Sequence, residues 1–74
     1  MSGARRQDEL GHLVDMANDI ARNFSFQPDG AARIADHLRR FWAPSMRNKL
    51  SAHVAAGGSG LADSAIEAVK SLQG

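Results

Sequence analysis

Two prolines and one glycine-rich run cut this chain at nearly regular intervals, and the segments between the cuts repeat with the period of an α-helix. The cuts are Ser25-Phe26-Gln27-Pro28-Asp29-Gly30, then Ala43-Pro44, then Gly57-Gly58-Ser59-Gly60. Proline has no backbone N–H and clashes with the preceding turn, so it cannot continue a helix interior, although it suits a first turn. Glycine readily takes the left-handed conformation that ends a helix. No alternation of period two is found in the chain. Three cuts in a helical pattern predict an all-α fold, a small single-domain bundle of about four short helices spanning residues 1–74.

The apolar spacing defines each segment. Leu10, Leu13, Val14, Ala17, Ile20, Ala21 and Phe24 share one face of a helix expected over residues 7–24. Asp8 and Glu9 in its first turn and Arg22 near its end complement the helix dipole. The second helix follows Pro28 and carries Ala31, Ile34, Ala35, Leu38, Phe41 and Trp42 inward, with Arg39 and Arg40 in its last turn. Asp29 either caps this helix or complements its dipole from inside the first turn. Asp36 and Arg40, four apart with the acid first, suit a surface ion pair. Pro44 opens a third helix through about Ala56, with a thin stripe of Met46, Leu50, Ala52 or His53, and Val54. Ala65, Ile66, Val69 and Leu72 face inward from a last helix over residues 63–72, and residues 1–6 are expected to be disordered.

Such a chain sits near the lower size limit for independent folding. Of its 74 residues 43% are apolar, but thirteen of these are alanine. Burial and conformational entropy nearly cancel at this size, and disulfides, a metal or association commonly make up the difference. Cysteine is absent. Disulfides, thiolate zinc sites, iron–sulfur ligation and thiol catalysis are therefore excluded together, which leaves association. Arg5 and Arg6 precede no apolar segment of the kind a secretory signal needs. Nor does any apolar run approach the ~20 residues of a membrane span. The expected location is the cytoplasm.

The motifs that suggest chemistry have plainer structural readings. The Gly57–Gly60 run lacks the preceding strand and the Gly-Lys-Ser/Thr ending of a phosphate loop, so it reads as a helix connector. His12, His37 and His53 belong to three different helices, and no metal site is expected. Most acidic residues read as helix-surface or dipole partners, and so small a bundle has little room for the desolvated cleft that acid–base catalysis needs. The chain is expected to have no catalytic and no cofactor-binding residues.

The net charge is only +1, yet residues 31–57 carry a surplus of four positive charges and residues 1–30 a deficit of two. The positive third contains the densest interface-like run, Ala35-Asp36-His37-Leu38-Arg39-Arg40-Phe41-Trp42-Ala43-Pro44-Ser45-Met46-Arg47. Tryptophan and arginine are the side chains most enriched at binding hot spots. The partner interface is expected at His37, Arg39, Arg40, Trp42, Pro44 and Arg47, with Phe41 read as a core anchor. A small helix-turn-helix DNA-binding regulator is the alternative, since a tight turn joins the second and third helices. Its recognition helix, Ser45-Met46-Arg47-Asn48-Lys49-Leu50-Ser51, lacks an unbroken basic face, so nucleic acid ranks below protein docking. A self-assembling bundle is a third possibility.

Over residues 10–72 the chain resembles the delta subunit of the soluble, NAD-dependent, molybdenum-containing formate dehydrogenases. The likeness rests on Leu13-Val14-Asp15-Met16-Ala17-Asn18-Asp19-Ile20-Ala21, on Asp36-His37-Leu38-Arg39-Arg40-Phe41-Trp42, on Pro44-Ser45-Met46-Arg47 and on Ala56-Gly57-Gly58-Ser59-Gly60-Leu61. Where the family pattern often has an acid between the Trp and the Pro, this chain has Ala43. An Asp there would cap the third helix for roughly 0.5–2 kcal/mol. The resemblance implies a non-catalytic accessory subunit that supports assembly or stability of the enzyme oxidising formate to carbon dioxide. It also implies that the molybdopterin, iron–sulfur clusters, FMN and NAD sit on the larger subunits, which are the expected partners.

Overall fold

The structure is a computed structural model that describes residues 9–73. The expected disorder of residues 1–6 lies outside the described residues. Four helices run through the rest: α1 (Glu9–Asn23), α2 (Gly30–Phe41), α3 (Pro44–Ala55) and α4 (Asp63–Gln73). The fold is all-α, and the helices are separated at the three expected breaks. Pro28 lies in the turn ahead of α2 and does not form its first turn. Asp29 takes the N-cap position, but its carboxylate makes no capping bond. Instead it accepts from Arg33 Nε at 2.9 Å.

The most extensive pairing is between α2 and α4. Small residues make it possible: Ala35, Ala65 and Ala68 are almost completely buried and let the backbones approach closely. Around them the core gathers Leu13, Ala17 and Ala21 from α1, Ile34 and Leu38 from α2, Leu50 and Val54 from α3, and Leu61 and Val69. Half-buried Val14, Ile20, Phe24, Met46, Ile66 and Leu72 complete its edge. Of the two candidates on α3, His53 is half-buried and Ala52 is exposed.

The glycine run is a built element. Gly58 N–H donates to His53 O at 2.9 Å and Gly57 N–H to Val54 O at 3.0 Å, the two bonds of a Schellman termination. Gly57 and Gly58 have φ of 124° and 66°, values that L side chains rarely adopt. A Cβ on Gly58 would also press on Ile66 Cδ1 at 3.0 Å. His53 Nε2 lies 2.7 Å from Ser59 O. A carbonyl only accepts, so this nitrogen carries the proton. From α1, Asn18 Nδ2 donates to Gly60 O at 2.8 Å, while Asn18 Oδ1 accepts from Ala62 N–H at 2.9 Å. One amide thus pairs with the loop backbone as a neighbouring strand would, and fixes where α4 begins.

Candidate partner-docking face

The corner between α2 and α3 is two residues long. Trp42 leaves the helix in an extended conformation (φ −95°, ψ 142°), and its N–H closes the last turn on Leu38 O. Ala43 is the N-cap of α3 and Pro44 its first residue. Ile34, Leu38 and Trp42 are spaced by four and form one inward line. Phe41 is one residue off that line, about 100° around the helix.

That offset reverses the expected roles of the two aromatic side chains. Trp42 is only 6% exposed and belongs to the core, with little surface to offer a partner. Phe41, read from the sequence as a core anchor, is 70% exposed. The large apolar side chains exposed among the described residues are therefore Phe41 and Phe26, the latter 93% exposed in the α1–α2 turn.

The remaining residues of the expected interface divide between two flanks of α2. On one flank the His37 ring lies between Phe24 (6.4 Å between centroids, edge-on) and Phe41 (4.8 Å, tilted). A groove of about 470 Å³ runs along it, reaching Arg33, Asp36 and Arg40. Both arginines there are held by acids one turn back, Arg33 by Asp29 and Arg40 by Asp36 (3.0 Å). The Arg33 hydrogen bond holds the Asp29 carboxyl below its ordinary range. These pairs are half-exposed or more, so neither adds much to stability. Their effect is to leave this flank nearly neutral and partly aromatic.

On the other flank, Arg39, Pro44 and Arg47 line a second groove together with Asn48, Ser51 and Leu72. Arg47 Nη1 donates to Arg39 O at 3.3 Å, so its guanidinium caps a carbonyl at the C-terminal end of α2, where the helix leaves acceptors unpaired. The sequence patch is thus two surfaces, with Trp42 beneath the corner that joins them. The sequence does not signal the loop contacts of Asn18 or the burial of Leu61. The partners of Asn18 lie more than forty residues away.

Of the basic groups that a DNA-reading α3 would need, Lys49 is ion-paired with Glu9 of α1, while Arg47 keeps its charge and makes a single bond, to Arg39 O, within the described chain. His12 lies on α1, His37 on α2 and His53 on α3, and among the described residues no three His, Asp or Glu side chains gather into a potential metal site. Among the same residues no helix is long and apolar enough to cross a membrane.

These features define a small all-helical domain with one partly aromatic flank of paired charges and one cationic flank. The chain belongs to the family of NADH-dependent formate dehydrogenase delta subunits, FdsD, whose family model matches residues 12–69. Comparison with curated proteins and with solved structures returned no match.

Proposed function

We propose that the chain is a non-catalytic accessory subunit that docks on the larger subunits of a cytoplasmic formate dehydrogenase and supports their assembly or stability. Family membership over residues 12–69 carries the reading. The docking face comprises His37, Arg39, Arg40, Pro44 and Arg47, and Phe41 takes the anchoring role first given to Trp42. Trp42 serves from beneath, by holding the α2–α3 corner in shape. Molybdopterin, iron–sulfur clusters, FMN and NAD reside on the partners, which oxidise formate. This cysteine-free chain has no thiolate to ligate a cluster.

The test is affinity capture from the native host with the chain tagged at its C-terminus. The captured fraction is assayed for formate-dependent NAD reduction and for molybdenum. Activity and metal should co-purify with the unmodified chain and fall severalfold with Phe41→Ser, a change that leaves the fold intact because the ring is on the surface. Capture of the folded chain without activity or molybdenum refutes stable membership.

A further inference from the structure

Most basic side chains on the described surface are neutralised within the chain: Arg22 by Asp19, Arg33 by Asp29, Arg40 by Asp36 and Lys49 by Glu9. Arg39 and Arg47 take part in no ion pair among the described residues, and both line the same groove, of about 370 Å³. The groove is bounded by the C-terminal end of α2, one face of α3 and the last turn of α4. Its apolar surface comes from Pro44 and the half-buried Leu72, its neutral hydrogen-bonding groups from Asn48 and Ser51. The bond to Arg39 O anchors Arg47 at the rim and leaves most of the five N–H donors of its guanidinium for an outside acceptor.

We propose that this groove seats an acidic segment of a partner protein, a stretch in which Asp or Glu stands beside an apolar side chain. Two arginines without an acid partner among the described residues line this groove, and a carboxylate seated there accepts paired N–H bonds from a guanidinium. The adjoining apolar residue covers Pro44 and Leu72. A nucleic acid fits less well, because phosphate binding strengthens with the number of cations engaged and the neighbouring Arg40 and Lys49 are already paired. The inference rests on the accessory-subunit reading, which makes the segment part of a larger formate dehydrogenase subunit.

The experiment measures binding of the full chain to larger subunits prepared without it, at low and at high salt. Arg39→Glu is the principal variant, since Arg39 makes no side-chain bond within the described chain. Arg22→Glu on α1 is the control, and thermal melts establish that both remain folded. Arg39→Glu should raise Kd by about tenfold or more and flatten its salt dependence, while Arg22→Glu stays within about twofold. In a second arm, Arg39→Lys supplies an amine that a carbodiimide couples to a partner carboxylate, and mass spectrometry reads the acidic peptide. Binding unaffected by Arg39→Glu, with no coupling through Arg39→Lys, overturns the groove assignment and leaves the accessory-subunit reading standing. Failure of the unmodified chain to bind overturns both. Binding of duplex DNA that Arg39→Glu abolishes, with subunit binding intact, gives the groove to nucleic acid and overturns the proposal.

Discussion

Replacing Asn18 should destabilise this domain through a loop more than forty residues away. Its amide donates to Gly60 O at 2.8 Å and accepts from Ala62 N–H at 2.9 Å. Asn18→Ala removes both bonds, each with a net value of about 0.5–1.5 kcal/mol. Alanine returns roughly 0.5 kcal/mol through its better helix propensity. The net loss is then about 0.5–2.5 kcal/mol, and a central value of about 1.5 kcal/mol lowers Tm by roughly 6–12 °C in a domain of this size. Asn18→Asp is the sharper perturbation, because it preserves shape and the acceptor for Ala62 but turns the donor facing Gly60 O into a negative oxygen. At neutral pH it should cost at least as much as Asn18→Ala. The folded state disfavours that charge, so the pKa of the new carboxyl is raised on folding, and protonation returns a donor to Gly60 O. The deficit relative to the unmodified chain should therefore shrink as pH falls through the carboxylate range. Thermal melts followed by circular dichroism across pH measure this. Asn18→Asp melting within about 2 °C of the parent at neutral pH would refute the clamp.

Three further outcomes are expected. Trp42→Ala empties a core position that is 6% exposed and should cost about 3–5 kcal/mol, against a total of about 0.05–0.15 kcal/mol per residue; helicity should fall with it, and a parent-like melt would show that the corner does not depend on the indole. Ala43→Asp places a carboxylate at the N-cap of α3, where no side chain caps now, and should add about 0.5–2 kcal/mol, read as a higher denaturant midpoint with unchanged slope. The Asp29 carboxyl is held low by Arg33, so its contribution is present above the ordinary carboxylate value and disappears as pH falls through the depressed one. The small Tm difference between the parent and Asp29→Asn should vanish in acid, and a pH-independent difference would count against the pair.

The helices were legible because each boundary is written locally, in Pro28, Pro44 and the glycine run. The core was legible only where an apolar stripe was strong. Phe41 and Trp42 are adjacent and both apolar, and helical period alone could not tell which one the α2–α3 corner would turn inward. Trp42 leaves the helix in an extended conformation and is the ring that is buried. Alanine was undervalued for a related reason. Its small area makes a weak core on paper, yet Ala35, Ala65 and Ala68 set the close approach of α2 to α4. The site followed the same rule. His37, Arg39, Arg40, Pro44 and Arg47 were found as a run of letters, but the helical turn that separates their side chains onto two flanks needs three dimensions.

The composition of the core also bears on why such a domain would dock. Ala17, Ala21, Ala35, Ala65 and Ala68 make up a large share of its buried apolar side chains, and burying alanine removes little area from water compared with leucine or phenylalanine. The largest rings divide the work differently: Trp42 is inside, whereas Phe26 and Phe41 are left in water. A sequence under pressure for stability alone would bury those two first. Their exposure, beside one flank where charges are paired and another where they are not, fits a chain whose folding and binding are linked. A partner that binds only the folded form adds about 2.7 kcal/mol at a hundredfold excess over Kd, which is substantial for a domain of this size. On the accessory-subunit reading, docking of the larger subunits therefore also adds to the stability of this small bundle.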